Sequence, residues 1–156
     1  MIPREPNFEY AMSVRLTLTK AHYSGVLPKG GKHAFVGIAA GTFEGPRLKG
    51  TVLPGSGGDY PHVRPDGVLD FNARYMLQED DGTIIYMQNR GFRWGPPEVM
   101  KKLSERQPVD SSEYYMRTSP TFHVEEGPHD WLNKYVFVGV ADKTPEGNII
   151  HYYKVL

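Results

Sequence analysis

The sequence of 156 residues contains no cysteine, which excludes disulfide bonds, thiolate metal ligands and a cysteine nucleophile. It also lacks long apolar runs: no stretch approaches the roughly 20 apolar residues that a membrane-spanning helix needs. The N-terminal segment MIPREPNFEY has neither the basic start nor the apolar core of a secretory signal. We therefore expect a cytoplasmic protein that has no membrane partner.

An excess of charge of either sign is absent as well. Eighteen Lys and Arg residues balance eighteen Asp and Glu residues, whereas a nucleic-acid-binding domain usually carries a basic excess. The six histidines occur without the His-x-His or His-Glu-x-x-His spacing of a metal site. We therefore expect no nucleic-acid partner and no metal.

Helical patterns are scarce, and strand patterns run through most of the chain. From Tyr10 to Leu18, larger apolar residues alternate with small or polar ones, which indicates a strand with one buried face. Asp81-Gly82 favours a tight hairpin turn. Strands are predicted for residues 10–18, 33–40, 68–77, 83–89, 114–125, 131–140 and 149–156, with a glycine-interrupted strand pattern over 41–55. Residues 96–105 have the one helical pattern, and we expect this helix to cover a barrel opening.

These elements predict an all-β fold: a single antiparallel β-barrel of about eight strands with one short helix, formed by one domain over residues 1–156. Closure into a barrel removes the exposed edges that a flat sheet would have. A chain of this length buries roughly 70% of its unfolded surface, so it needs neither a metal nor a disulfide to fold. We expect a functional site in the polar-lined interior.

The order of several short motifs carries a family resemblance. The motifs are Gly41-Thr42-Phe43-Glu44-Gly45-Pro46-Arg47-Leu48-Lys49-Gly50, Leu53-Pro54-Gly55-Ser56-Gly57-Gly58-Asp59, Arg74-Tyr75, Asp81-Gly82, Asn89-Arg90-Gly91, Tyr114-Tyr115-Met116-Arg117-Thr118-Ser119-Pro120-Thr121-Phe122 and Trp131-Leu132-Asn133. In this order and spacing, which spans nearly the whole chain, the sequence resembles the bacterial and fungal family called domain of unknown function 3237.

The resemblance implies a small antiparallel barrel similar to those of allene oxide cyclase and dirigent proteins. Similar barrels hold a hydrophobic small molecule and direct a cyclisation, an addition or an isomerisation with a few polar side chains and no cofactor. The segment 92–110, which includes Trp94 and the predicted helix, is longer here than the family usually has. We therefore expect any lid over the site to be particular to this protein.

The predicted strand 68–77 has two different faces, and two interpretations of its orientation are open. In the first, its apolar face packs inward and Arg74 is solvated. In the second, the apolar face packs outward against a helix, a loop or a second subunit, and Asp70 and Arg74 line a pocket. The resemblance at Arg74-Tyr75 adds weight to the second, which predicts that Arg74 lies inside and pairs with Asp59 or Asp70.

Asp59 follows the glycine-rich run Gly55-Ser56-Gly57-Gly58, which lacks the lysine and the following helix of a nucleotide-binding loop. One interpretation is a turn in which the Asp59 carboxylate caps backbone N–H groups. The other is a carboxylate at the barrel mouth that exchanges a proton with a substrate, once desolvation raises its pKa toward neutrality.

Further candidates come from the strand aromatics and their neighbours. Arg117 offers a guanidinium for a carboxylate or enolate, and Tyr86 and Tyr115 offer phenols for a developing oxyanion. Trp131 has two interpretations, a core anchor or a wall of the ligand site. The predicted catalytic residues are Asp59, Asp70, Arg74, Tyr86 and Arg117, and the predicted substrate-binding residues are Tyr75, Asn89, Tyr115 and Trp131.

Three functional hypotheses follow. The first two have a small molecule as the ligand, and the third has no ligand. The first is a cofactor-independent enzyme that binds a small, hydrophobic, oxygenated or unsaturated molecule and catalyses proton-transfer chemistry: a cyclisation, an intramolecular addition or an isomerisation. The second is a lipocalin-like binding protein without turnover. The third is a structural barrel with a filled interior. A carboxylate that meets a phenol or guanidinium in a cavity favours the first, and a homo-oligomer stays an open alternative.

Overall fold

The computed structural model describes all residues from 1 to 156, and it contains eleven strands in one sheet. The strands are β1 (Phe8–Leu18), β2 (His22–Tyr23), β3 (Lys32–Glu44), β4 (Lys49–Val52), β5 (Gly58–Asp59), β6 (His62–Val63), β7 (Leu69–Glu79), β8 (Ile84–Trp94), β9 (Tyr115–His123), β10 (Phe137–Lys143) and β11 (Gly147–Val155). One α-helix, α1 (Pro97–Ser104), and two short 3₁₀ turns complete the chain. No helix here has the length and apolar character that crossing a membrane as a helix requires.

The sheet closes on itself. Around the barrel the strands follow the order β1-β11-β10-β9-β8-β7-β4-β3, and β3 pairs with β1 to complete a ring of eight antiparallel strands. The short strands β5 and β6 also lie between β3 and β7, and β2 pairs with β3 alone. The predicted fold class, an all-β antiparallel barrel of about eight strands with one short helix, is confirmed.

The orientation of β7 decides between the two interpretations of its faces. Phe71, Ala73, Tyr75 and Leu77 point into the barrel and are buried. Arg74 is exposed on the outer face, where its guanidinium donates a hydrogen bond to the Tyr86 hydroxyl over 3.1 Å. The interpretation with Asp70 and Arg74 inside is therefore wrong, because burial of the apolar face removes far more apolar surface from water.

The helix α1 covers one opening of the barrel, as predicted. Its first residue, Pro97, follows another proline at the N-cap. Proline suits a helix start because it lacks an N–H group, and the first N–H groups of a helix have no intrahelical acceptor. Val99 and Leu103 are buried and join the main hydrophobic core. The helix therefore covers part of this end of the barrel with one apolar face.

The opposite end is closed by a 3₁₀ turn, Asp130–Asn133, where the sequence predicted the start of a strand. Asn133 explains the difference, since its side-chain amide bonds both the N–H and the carbonyl of Val124 and so holds the turn locally. Trp131 in this turn packs against Phe137, with ring centres 6.0 Å apart. Trp131 is thus a core anchor at the end of the barrel away from α1.

Several strands run further than their sequence patterns predicted, and two of these extensions bear on the cavity. β8 continues past Asn89 to Trp94, and β10 continues past Val140 to Lys143. Both extensions lie at the α1 end of the barrel. They place Arg93 and Lys143 on barrel strands instead of in loops.

The orientation of β7 predicts unequal costs for substitutions on its two faces. Phe71→Ala is expected to lower the free energy of unfolding by about 3 to 5 kcal/mol, because it removes a buried ring. Arg74→Ala is expected to lower it by about 0 to 1 kcal/mol, because its hydrogen bond is solvent-exposed. Urea denaturation followed by circular dichroism measures both values, and a larger loss for Arg74→Ala than for Phe71→Ala would contradict this orientation.

Candidate functional site

The end of the barrel beneath α1 encloses a cavity of about 120 Å³. Thirteen of its 22 lining residues are hydrophobic, so most of the wall is apolar. Leu103 and Ser104 of α1, together with Arg106 just after it, form the roof. An apolar cavity of roughly 150 Å³ holds benzene, so this space fits a molecule of about one ring.

Asp59 brings a carboxylate to this cavity from the two-residue strand β5. Its Oδ1 atom accepts a hydrogen bond from the backbone N–H of Asn72 over 2.9 Å. Burial raises the pKa of Asp59 from 3.8 to about 6, although the Asn72 N–H and the positive charge of Arg93 act in the opposite direction. The structure shows that the carboxylate caps a backbone N–H group and also faces the cavity with a pKa near neutrality, while proton exchange with a substrate stays a prediction.

Two basic side chains share the cavity with Asp59. Arg93 reaches it from β8 and is only 9% exposed, and Lys143 reaches it from the end of β10. Burial lowers the pKa of Arg93. Burial lowers the pKa of Lys143 from 10.5 to about 7, and the positive charges of Arg93 and Arg106 add to this effect. The ion pairs of the protein all lie elsewhere, so neither Arg93 nor Lys143 has a carboxylate within 4.0 Å.

Neutral polar groups cluster deeper in the barrel. The hydroxyl oxygens of Tyr75, Thr118 and Tyr152 and the Oδ1 atom of Asn89 are buried, and none makes a hydrogen bond of ordinary geometry. Burial raises the pKa of both tyrosines, which keeps their phenols protonated. Tyr152 lies close to Tyr75, Thr118 and Asn89, so the four groups form one polar cluster whose hydrogen bonds a ligand or ordered water can complete.

A glycine makes room for this cluster. Gly139 on β10 lies opposite Thr118 of β9 in the antiparallel pairing. A Cβ atom at position 139 would lie 2.1 Å from the Thr118 hydroxyl oxygen and 2.9 Å from a ring carbon of Tyr152. Glycine at this position therefore allows two polar side chains to occupy the same layer of the barrel.

The structure brings together three of the nine residues that the sequence predicted for the site. Asp59, Tyr75 and Asn89 line the cavity. The others lie outside it: Asp70, Arg74, Tyr86, Tyr115 and Arg117 are on the outer face, and Trp131 is at the opposite end. Sequence reasoning missed Arg93, Lys143, Thr118, Asn148 and Tyr152.

Arg117 and Tyr115 belong to an aromatic surface on the outside of β8 and β9. The Arg117 guanidinium lies 5.3 Å from the centre of the Tyr115 ring and donates to the carbonyl of Met116. Tyr115 stacks on Trp94 with ring centres 5.5 Å apart. These contacts hold Arg117 on the outer surface, away from Asp59.

One cluster has the composition of a metal site, and it lies at the end away from α1. The ligand atoms of Glu79, Asp81 and His129 are within 4.8 Å of one another. His129 Nε2 and Asp81 Oδ2 are 2.7 Å apart. The Glu79 carboxylate accepts hydrogen bonds from the backbone N–H groups of Lys49 and Asp81. The N–H of Thr83, followed by His129, lowers the pKa of Asp81 to about 2. These bonds tie the β7–β8 turn to the 3₁₀ turn, which is a structural role.

The fold and the cavity define a small closed β-barrel with an internal cavity whose volume matches a molecule of about one ring. The chain belongs to the family described as protein of unknown function, DUF3237, whose sequence profile matches residues 6–155. This confirms the resemblance seen in the motifs. The chain is 35% identical over 152 residues to a UPF0311 protein of Clostridium acetobutylicum, a match that covers 97% of this chain and 96% of that protein.

Solved structures show the same barrel. A conserved protein of unknown function from Rhodopseudomonas palustris superposes with a TM-score of 0.94 at 30% identity, covering 99% of this chain and 100% of that chain. A β-barrel-like protein from Acinetobacter baumannii has a TM-score of 0.84 at 31% identity, covering 99% of each chain. An enzyme from Penicillium herquei has a TM-score of 0.75 at 20% identity, covering 100% of this chain and 98% of that chain.

The raised pKa of Asp59 predicts a pH-dependent stability that Asp59→Asn removes. Between pH 3.8 and about 6 the folded protein keeps a proton that the unfolded chain has lost, so the free energy of unfolding falls as the pH rises. Relative to Asp59→Asn, the wild type is expected to lose as much as about 3 kcal/mol across this window. Urea denaturation at a series of pH values measures the difference. Asp70→Asn, which changes a carboxylate on the outer face, is the control, and equal pH profiles for wild type and Asp59→Asn would contradict the prediction.

The lowered pKa of Lys143 predicts the opposite trend at higher pH. Between about pH 7 and 10.5 the unfolded chain keeps a proton that folded Lys143 has lost, so the free energy of unfolding rises with pH. The rise is expected to approach about 1.4 kcal/mol per pH unit from pH 7 to 9 and to be absent in Lys143→Met. Lys134→Met, at an exposed lysine, is the control. A rise that persists in Lys143→Met would assign the effect to another group.

Proposed function

We propose that this protein is a cofactor-independent enzyme that binds a small, largely apolar, oxygenated or unsaturated molecule in the cavity and catalyses a proton transfer. The transfer drives a cyclisation, an intramolecular addition or an isomerisation. The observation that carries the proposal is the carboxyl group of Asp59, which faces a mostly apolar cavity with a pKa of about 6. A carboxyl group is most effective as a general acid or base when its pKa lies near the working pH.

Asp59 is the proposed general base. In its ionised form it removes a proton from a carbon or an oxygen of the bound molecule, and negative charge then develops on the substrate. Arg93 stabilises that charge from the same cavity, where the low dielectric strengthens the interaction. The hydrogen bond from the Asn72 N–H holds the carboxylate in place during the transfer.

Lys143 is the proposed second proton-transfer group. Its pKa of about 7 allows both the ammonium and the amine to be present near neutral pH. With a carboxylate and an ammonium group in one cavity, Asp59 can remove a proton from the substrate while Lys143 returns one. The polar cluster of phenols and amide deeper in the barrel supplies hydrogen bonds that orient the substrate oxygen.

The fold supports catalysis in at least one other protein. The barrel of an enzyme from Penicillium herquei superposes on this chain with a TM-score of 0.75, although only 20% of the residues are identical. That likeness concerns the fold alone, so the proposal for this chain depends on its own cavity residues.

A lipocalin-like binding protein without turnover is the second candidate. The hydrophobic majority among the lining residues, thirteen of 22, favours it because an apolar wall is sufficient for carriage. The two candidates differ in whether Asp59 moves a proton of the bound molecule.

Hydrogen–deuterium exchange tests the enzymatic proposal. The protein is incubated in D2O with a panel of ring-sized ketones and enones, and NMR measures deuterium incorporation next to the carbonyl group. The wild type is expected to accelerate exchange in at least one compound, and Asp59→Asn is expected to reduce this rate by about 10²- to 10⁴-fold, the usual contribution of a general base. Asp70→Asn is the matched control and should retain the wild-type rate. Compounds that bind equally to wild type and Asp59→Asn without any exchange would favour the binding protein instead.

A further inference from the structure

The charges that face the cavity do not balance. Asp59 is the one acidic residue among the lining side chains, whereas Arg93, Arg106 and Lys143 are basic. Over the whole chain acidic and basic residues are equal in number, 18 of each. The basic excess is therefore a local property of this end of the barrel.

Arg93 lines the cavity and has no ion-pair partner in the structure. It is 9% exposed, its Nε atom is buried without a hydrogen bond, and no carboxylate lies within 4.0 Å. Tyr23, Tyr114, Asp59 and Lys143 are the ionisable groups around it. Arginine keeps its proton in proteins, so the guanidinium cannot avoid its desolvation by becoming neutral.

A structural role does not account for this arrangement. Buried charges in folded proteins are paired or coordinated, because an unpaired charge in a low-dielectric interior is strongly unfavourable. Arg47 shows the ordinary alternative, since its exposed guanidinium lies 4.7 Å from the centre of the Trp131 ring and covers it. Arg93 has neither an aromatic face of this kind nor an ion pair.

Lys143 adds a second unpaired basic group to the same wall. No carboxylate lies within 4.0 Å of its ammonium, and its backbone N–H donates to the Tyr114 hydroxyl over 2.8 Å. That bond ties the end of β10 to the segment before β9. The cavity therefore presents two cationic donors on fixed strands, β8 and β10, with β9 between them.

We propose that the cavity binds its ligand through an acidic oxygen, held as an anion by Arg93 and Lys143, with the ring of the ligand against the apolar wall. The ligands of this class are phenolates, enolates and carboxylates of about one ring in size. The inference rests on the proposed function in taking the cavity as the ligand site, and it deepens that function by naming the substrate class. An enolate formed by proton removal at Asp59 has the same charge and the same binding groups.

The probe is 4-nitrophenol, whose ionised form has a separate visible absorption band. At a pH well below its own pKa, the free compound is neutral. Addition of the full-length protein is expected to produce the phenolate band, because the anion binds more tightly than the phenol. Nitrobenzene, which lacks the acidic oxygen, measures the contribution of the apolar wall, and benzoate should compete with 4-nitrophenol for the site.

Arg93→Met is the main variant, and Arg90→Met on the outer face of the same strand is its matched control. Arg93→Met is expected to weaken binding of 4-nitrophenol about 10- to 100-fold, the usual effect of one charge-assisted hydrogen bond, and to change nitrobenzene affinity less than about twofold. Its denaturation midpoint should be no lower than that of the wild type, since it removes an unpaired buried charge. Lys143→Met provides an independent variant with a similar expected loss of phenolate binding.

The outcomes separate this inference from the proposed function. Binding of 4-nitrophenol and nitrobenzene with equal affinity and no phenolate band would overturn the anion site, and so would failure of 4-nitrophenol to bind. Neither of these results affects the exchange experiment on neutral ketones. Phenolate binding that depends on Arg93, in a protein that catalyses no exchange, would support the anion site and contradict the proposed enzyme.

Discussion

The pairing of β1 with β3 closes the sheet, and the properties of the cavity depend on that closure. Residues Ser13 to Leu18 of β1 pair with residues Glu44 to Ile38 of β3, antiparallel. In a closed barrel alternate residues of every strand face one common space. Strand alternation therefore brings Asp59, Arg93 and Lys143, which are far apart in the sequence, to the same cavity. A register shift of one residue in β8 would turn Arg93 outward and remove it from the site.

Closure also explains why two groups of opposite charge titrate near neutrality. The same desolvation raises the pKa of Asp59 to about 6 and lowers the pKa of Lys143 to about 7, because burial disfavours whichever form is charged. Neighbouring charges modify the result. Arg93 lowers the pKa of Asp59 and of Lys143 alike, so it favours an ionised base and a neutral amine at once. A ligand anion beside Arg93 would offset this charge and favour the protonated lysine.

The sequence predicted the fold better than the site, and particular residues show why. Period-two alternation is strong in β1 and β7, so these strands were recognisable, and on β7 the alternation indicated the correct buried face. The hairpin between β7 and β8 was recognisable from Asp81-Gly82. The weight given to Arg74-Tyr75 as a motif led to the wrong face for Arg74. Arg93 was missed because the pattern was taken to end at Asn89. Gly91 interrupts it, and a Cβ there would lie 2.1 Å from the carbonyl oxygen of Arg117, so β8 in fact continues through a close strand contact. Asn89 and Arg93 are an even number of residues apart and so share the inner face of β8, and this spacing was the signal that could have revealed Arg93.

Stability and the candidate chemistry are separated along the barrel. At the end away from α1, Trp131, Phe137 and Phe122 form a packed aromatic group with ring centres 5.1 to 6.0 Å apart. β10 begins there at Phe137 and reaches the cavity at Lys143, a distance of about 20 Å for an extended strand. Apart from the Nε1 atom of Trp131, the unpaired polar groups and charges, which are unfavourable for folding, lie between that aromatic group and α1. A barrel whose far end is densely packed can tolerate such groups at the other end, because strand pairing continues through both. The helix α1 then covers the charged end, and the lower exposure to water strengthens the electrostatic interactions that a bound molecule makes there.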